Sequence, residues 1–286
     1  MNRHAWAIVL AGGDGQRVAA LTVGNDGRSV PKQYCAFGAR DSMIRWAFAR
    51  ALKLVPRDHI LFVVADHHRG YWETELSDVD PKNILVQPQN RGTAVGVLLA
   101  VSHVVFRRDA RARVLLLPSD HFVADEEVLR EALAKVLARR RLSARRIVLL
   151  GMTPEVCDPE YGWILPAGDG AAPGVAQFAE KPSLAAARSL MDRGAMINSF
   201  MIVAQAMALV RACGRTIPEL VQSFVRRERA GAAAPPLTQF YESLPSLDLS
   251  RDVLTKSAPI LAVVRVPACG WSDLGTPARL HAYQGR

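Results

Sequence analysis

Long apolar runs are missing from this 286-residue chain. The longest, residues 94–106, is interrupted by Ser102 and His103 and is too short to span a bilayer. The apolar stretch at residues 5–10 is too short for the core of a secretory signal and runs directly into Gly12, Asp14 and Arg17. A membrane partner and export are therefore not expected. Cysteine is scarce: Cys35, Cys157, Cys213 and Cys269 lie far apart with no CxxC spacing, which argues against a disulfide frame or a zinc ribbon. Such thiols read as reduced, in a cytoplasmic protein. Aromatic residues make up only 7% of the chain, and none interleave with its basic runs, Arg139-Arg140-Arg141 with Arg145-Arg146 and Arg226-Arg227 with Arg229. Those runs fall at the ends of expected amphipathic helices, where cations suit the helix dipole. The net charge of +9 is accordingly read as a field that favours a small anionic substrate, with no nucleic-acid partner expected. No internal repeat or heptad array is present.

Half of the residues are hydrophobic, enough for a large core in one or two domains. Short apolar runs at 6–10, 60–65, 83–86, 114–117 and 147–150 read as buried strands. Between them, residues 42–54, 67–76, 93–106 and 126–137 read as helices. This alternation predicts an α/β fold with a mostly parallel central sheet and helices on both faces. After Gly151 the pattern becomes mixed, with strands expected at 162–165, 175–178, 197–203 and 260–266 and helices at 184–191 and 207–212. Residues 231–236, Gly-Ala-Ala-Ala-Pro-Pro, are the one linker-like stretch.

In such sheets ligands bind beyond the carboxyl ends of the strands. The segment "VLAGGDGQR" leaves the first strand there, and its glycines let backbone amides approach an anion closely. It lacks the GxxxxGK[ST] of a P-loop, and Val18 occupies the third-glycine position of GxGxxG. A plain structural turn would also explain it. "LLLPSDHF" sets Asp120 just past a strand, "FAEKPS" does so for Glu180 and Lys181, "INSFMIV" puts Asn198 near a strand start, and "CGWSDLGT" puts Asp273 in a turn. Two such carboxylates suit Mg²⁺ on a nucleotide. Each aspartate, taken singly, would equally serve as a helix cap or turn residue.

The ordered set of motifs resembles the sugar-1-phosphate nucleotidyltransferases, most closely the mannose-1-phosphate guanylyltransferase group. The likeness runs from Trp6 to about Arg279. It rests on AGG-x-G-x-R at 11–17, PKQ at 31–33, "QPQNRGTA" at 87–94, "PSDH" at 118–121, "YGWI" at 161–164, and then EKP, NSF and GWSDLG in order.

The resemblance implies a single Rossmann-like nucleotidyltransferase domain, with a nucleotide-binding half at about 1–150 and a sugar-phosphate-binding half at about 151–286. It implies that Leu10, Ala11, Gly12 and Gly13 wrap a nucleoside triphosphate whose phosphates meet Arg17 and Lys32. Gln87, Asn90, Gly92 and Thr93 would face base and ribose. Asp120 and Asp273 would hold Mg²⁺, with Asp120 also at the nucleotide. Gly162, Glu180 and Asn198 would contact sugar hydroxyls, and Lys181 the sugar phosphate. The reaction implied is one in-line displacement of pyrophosphate from the triphosphate by a sugar 1-phosphate, with no general base; Arg17, Lys32, Asp120, Lys181 and Asp273 would carry it. His121 is read as structural.

Two departures bear on the triphosphate grip and the base preference. Gln16 stands where the family usually has Thr, and the span from Arg17 to Pro31 is longer than usual, with Asn25-Asp26-Gly27 as an expected extra turn. The chain stops soon after the last motif, which implies a monofunctional enzyme, and a homodimer is the candidate assembly. "PKQY" also resembles methylerythritol-phosphate cytidylyltransferases, a second reading; a nucleotide-binding regulator without turnover is a third.

Overall fold

A computed structural model describes residues 3–24, 27–139 and 145–284 of the chain. In the first half, β1 (Ala5–Ala11), β2 (Ile60–Ala65), β3 (Ile84–Gln87) and β4 (Arg113–Pro118) are parallel neighbours in the order β3-β2-β1-β4. β2 and β4 are buried at every residue and β1 at all but Leu10. Apart from Arg113 at the start of β4, their apolar sequences follow from having both faces covered. The covering helices are α1 (Met43–Leu52), α2 (Arg69–Glu75), α3 (Thr93–Arg107) and α4 (Glu126–Leu137). α4 starts where Asp125 accepts from the amides of Glu127 and Val128, a side-chain cap for otherwise unpaired donors. α3, the longest apolar run of the sequence, is a buried helix, and no helix among the described residues is long and apolar enough to cross a membrane.

The second half adds β5 (Ile147–Met152), β6 (Gly162–Pro166), β7 (Val175–Glu180), α5 (Leu184–Asp192), β8 (Met196–Gln205), α6 (Ala206–Thr216), α7 (Pro218–Ala230), α8 (Leu237–Glu242), β9 (Leu261–Val266) and α9 (Pro277–Gln284). The sheet continues β4-β8-β5-β9, with β8 antiparallel to both of its neighbours and β9 parallel to β5. β6 pairs with β8 and forms a hairpin with β7. One core lies under α1, α4 and α5 and includes Phe48, Leu133, Leu190 and Trp163. The other lies under α3, α6 and α7 and includes Val101, Leu209 and Phe224. The expected α/β class, mostly parallel sheet and two-sided cover are present, and the mixed second half comes from the reversed β8 and the β6–β7 hairpin.

The linker-like residues 231–236 connect two helices. Residues Gly231–Ala233 make a short helical turn between α7, the helix that ends in the second basic run as expected, and α8, which the sequence reading did not place. Arg227 donates to the Pro235 carbonyl at 2.6 Å and lies 5.1 Å from the Phe240 ring, and Phe224 packs edge-on against Phe240. The stretch is a largely exposed connection whose flanking helices pack on each other. Arg227 is thus engaged, as is Arg139, which donates to Ala171 at 2.7 Å. Arg140 and Arg141 of the first basic run, and Asn25 and Asp26 of the expected extra turn, lie outside the described residues. Next to that turn, Val23 and Ser29 form an antiparallel bridge.

β1 lies between β2 and β4, so the chain leaves it toward one side and later returns on the other. The crevice between the ends of β1 and β4 is the topological switch point, where ligands of open α/β sheets bind.

Candidate active site

The Gly-rich loop leaves β1 into this crevice. Gln33, buried, donates its Nε2 to the carbonyls of Ala11 at 3.1 Å and Gly13 at 2.9 Å. Both carbonyls of the turn are therefore tied to the PKQ segment. A Cβ on Gly12 would collide with Nε2 of Gln87, itself buried and accepting through Oε1 from the Tyr241 hydroxyl at 3.3 Å. A side chain at position 12 would have to displace this buried amide.

Two further turns meet over the crevice. Phe122 and Ser272 exchange backbone hydrogen bonds of 2.9 and 3.0 Å, which fixes the turn carrying Asp273 against the turn carrying Asp120. Lys32 lies between them: its Nζ is 2.8 Å from Asp120 Oδ2 and also donates to the Asp273 carbonyl. The Lys32 side chain is 4% exposed and that of Asp120 is 33% exposed. Burial alone would raise the Asp120 carboxyl. The charge of Lys32, then that of His121, and the Lys32 hydrogen bond outweigh it and hold the group below its usual value. Asp273 Oδ1 is 2.8 Å from Arg279 Nη1 and accepts from the Gly275 amide at 2.8 Å. Arg279 stacks over Tyr161, 4.0 Å from the ring centre. His121 is buried and pushed down to about 4, chiefly by burial; Trp271 Nε1 donates to its Nδ1 at 3.3 Å. Hard carboxylate oxygens from two adjacent turns, both lining one cavity, are a donor set that fits Mg²⁺.

The far wall is built by β6, β7 and β8. Gly162 pairs with Glu180, and a Cβ on Gly162 would fall 2.6 Å from Glu180 Oε2. The β5–β8 register shifts between Leu149 and Gly151, which pair with Ile202 and Asn198, so that residues 199–201 form the irregularity. There the buried Ser199 donates to the Leu150 carbonyl at 2.7 Å, while Asn198 Oδ1 accepts from the Phe200 amide at 3.1 Å. Such an irregularity redirects a side chain out of the regular pleat. Among the described residues, four non-glycine residues have positive φ, and three of them, Lys181, Phe200 and Leu274, line the crevice or adjoin Asp273. Strained backbone of this kind concentrates at functional sites. The Glu180 carboxyl is raised, first by burial and then by Asp248, against the opposing charges of Lys181, Arg17 and Arg251.

A cavity of about 430 Å³ joins these walls. Leu10, Gly12, Gly13, Arg17, Lys32, Gln87, Asn90, Gly92, Thr93 and Asp120 line its nucleotide-loop side, and Gly162, Glu180, Lys181, Asn198 and Asp273 line the rest. Ala11 does not line it; the residue is buried at 1% exposure, because its side chain faces the core as part of β1. The sequence reading missed several cavity residues. Glu160 sits between two cations, its Oε2 3.4 Å from Arg17 Nη1 and 3.6 Å from Lys181 Nζ. Asp248 accepts from Thr93 Oγ1 at 2.9 Å. Phe200 and Trp271 supply apolar wall, and Arg279, just outside, holds Asp273. Gln33 and Trp271 fell within quoted motifs; Glu160 directly precedes "YGWI", and nothing local marks Asp248 or Arg279.

The chain is similar to known proteins along nearly its whole length. The chain is 28% identical over 277 residues to the xanthan biosynthesis protein XanB of Xanthomonas campestris pv. campestris, covering 94% of this chain and 57% of that protein. It is 27% identical over 291 residues to a mannose-1-phosphate guanylyltransferase of Escherichia coli K12, covering 95% and 58%. The chain thus spans a little over half the length of these relatives. A solved structure described as mannose-1-phosphate geranyltransferase from Thermus thermophilus superposes with a TM-score of 0.82 at 28% identity, over 95% of this chain and 76% of that one. A second, described as mannose-6-phosphate isomerase from Helicobacter pylori, shares the fold with a TM-score of 0.72 at 20% identity, over 94% of this chain and 99% of that one. The family model described as Nucleotidyl transferase matches residues 6–284, and with 279 of 286 positions inside that match the chain belongs to the nucleotidyl transferase family.

Proposed function

We propose that this chain transfers a nucleotidyl group from a nucleoside triphosphate to a sugar 1-phosphate, releasing pyrophosphate, with GTP and mannose 1-phosphate as the pair. The carrying observation is that the Gly-rich loop, Arg17, Lys32, Lys181 and both aspartates border one cavity in a chain of this family. The choice of GTP and mannose 1-phosphate rests on the relatives named mannose-1-phosphate guanylyltransferase.

In this reading Leu10, Gly12 and Gly13 lie along the triphosphate, and Arg17 and Lys32 offset its charge. Gln87, Asn90, Gly92 and Thr93 face base and ribose. Gly162, Glu180 and Asn198 receive the sugar hydroxyls, and Lys181 holds the sugar phosphate. Asp120 and Asp273 would hold Mg²⁺, a dication that supplies further charge neutralisation at the phosphate oxygens. An oxygen of the sugar phosphate attacks the α-phosphorus, forming the new P–O bond. The bond from that phosphorus to the β-bridging oxygen breaks, and pyrophosphate leaves with the electron pair. A sugar phosphate is ionised near neutral pH, so the attacking oxygen needs no proton removed. The residues therefore act by alignment and by neutralising charge that develops in the transition state. His121, buried and held by Trp271, is a neutral positioning group. A cytoplasmic setting suits four cysteines that are all free.

Pyrophosphate release tests the reading. It requires triphosphate, sugar 1-phosphate and protein together; release from triphosphate alone at the same rate would mean hydrolysis and reject the transfer.

A further inference from the structure

Beside the cavity, though not among its lining residues, Asp14 of the Gly-rich loop meets the turn that follows β2. Its Oδ1 is 2.8 Å from His67 Nε2 and 3.7 Å from His68 Nε2. The ligand atoms of Asp14, His67 and His68 all lie within 4.8 Å of one another, and among the described residues no other His, Cys, Asp or Glu group of three gathers so closely. We propose that Asp14, His67 and His68 form a binding site for a transition-metal dication of the Zn²⁺ class, separate from the carboxylate pair Asp120 and Asp273.

A hydrogen bond accounts for His67 but not for His68. The His68 side chain is 6% exposed, its Nδ1 is buried with no hydrogen-bond partner, and its Nε2 stops beyond hydrogen-bond length from Asp14. Tyr34 packs edge-on against the ring and fixes its orientation. Through Nε2, the nitrogen opposite the unpartnered Nδ1, the buried imidazole faces a carboxylate that it does not hydrogen-bond. The other carboxylate oxygen, Oδ2, accepts from Asn90 Nδ2 at 3.2 Å, the kind of supporting contact that orients metal ligands. Zn²⁺ with bonds of about 2.0–2.1 Å keeps its ligand atoms roughly 3.4 Å apart, so small ring rotations close the triad. Two imidazoles with one carboxylate select zinc, cobalt or nickel over magnesium, which prefers all-oxygen sites. The His67 side chain is half exposed, which leaves a path for the ion and room for water as a further ligand. Occupancy would clamp the Gly-rich loop to the β2 turn and, through Asn90, to the loop after β3.

The test uses the full chain, stripped with chelator and kept in excess Mg²⁺ so that hard-oxygen sites are filled. Zn²⁺ alone is titrated by calorimetry and Co²⁺ alone by visible absorption. One ion per chain, with the intense d–d bands of a four- or five-coordinate cobalt site, is expected. His67→Ala and Asp14→Asn are each expected to weaken Zn²⁺ binding by roughly tenfold or more. Asp120→Asn is expected to leave it unchanged, and circular dichroism verifies that the variants fold. Zn²⁺ binding of wild-type strength in both His67→Ala and Asp14→Asn would place the ion elsewhere, on a thiol for example, and overturn the proposal. Absence of Zn²⁺ binding in excess Mg²⁺ would do the same, as would loss of binding in Asp120→Asn.

Discussion

Lys32→Met separates the two jobs assigned to one buried ammonium. Methionine keeps most of the side-chain volume in a site that leaves Lys32 4% exposed, so packing is preserved while the charge goes. Breaking a fully buried pair from one side costs about 3–5 kcal/mol. Here Asp120 keeps 33% of its side chain open to water, so a loss of about 1–3 kcal/mol is expected. At about 2–4 °C per kcal/mol for a chain of this size, Tm should fall by about 2–12 °C at pH 7. The Asp120 carboxyl, held below its ordinary 3.8 mainly against burial by the Lys32 charge, should move up in the variant. A carboxylate with a depressed folded pKa contributes stability above its unfolded pKa and loses it as pH falls through the folded value. The Tm deficit of Lys32→Met should therefore narrow below about pH 4. Catalysis should suffer more: loss of a preorganised cation at the phosphates costs about 3–4 kcal/mol, or roughly 10²–10³ in kcat. The assays are differential scanning calorimetry across pH and continuous pyrophosphate release. A kcat within about threefold of wild type would refute the catalytic assignment, and an unchanged Tm at pH 7 would refute the ion-pair energetics.

Other perturbations discriminate the remaining parts of the site. Lys181→Ala should raise KM for the sugar phosphate far more than for the triphosphate, and Arg17→Ala should do the reverse; a shared shift in one substrate would contradict one of these assignments. Glu180→Gln should weaken sugar phosphate binding yet raise Tm at pH 7, because burial raises the wild-type carboxyl above its ordinary 4.5 and its ionised form costs stability. That Tm gain should vanish as pH falls through the wild-type value and the native carboxyl protonates; a gain that persists in acid would contradict it. Arg279→Lys should lower kcat by about tenfold and raise the Mg²⁺ concentration for half-maximal rate, since Asp273 loses a planar partner stacked on Tyr161. An unchanged Mg²⁺ requirement would remove Arg279 from the positioning of Asp273.

The buried strands were legible because covering both faces of β1, β2 and β4 demands continuous apolar sequence. The reversed direction of β8 was not, since "MINSFMIVAQ" reads the same against either neighbour and direction is set by the connections. Helix α7 was legible only as an amphipathic helix ending in the second basic run and not by its bounds, because only Leu220 and Phe224 of its thirteen residues are buried. At the site, Arg17, Lys32 and Asp120 stood in motifs beside strand ends. Glu160 and Arg279 act only through contacts across the fold: Arg17 and Glu160 are 143 positions apart. The positive φ of Lys181 and Phe200 was equally hidden, because non-glycine residues adopt it only when tertiary contacts impose it.

The central claim is tested most directly by identifying the product. GTP, ATP, UTP, CTP and dTTP are each incubated with Mg²⁺ and with mannose, glucose or another hexose 1-phosphate, and nucleotide sugar is quantified by mass spectrometry alongside pyrophosphate. The account predicts equimolar pyrophosphate and nucleotide sugar, with GTP and mannose 1-phosphate giving the highest kcat/KM. A preference for dTTP or UTP with glucose 1-phosphate would keep the chemistry and change the substrate, whereas turnover only with CTP and a non-sugar phosphate, or no nucleotide sugar from any pair, would contradict the account.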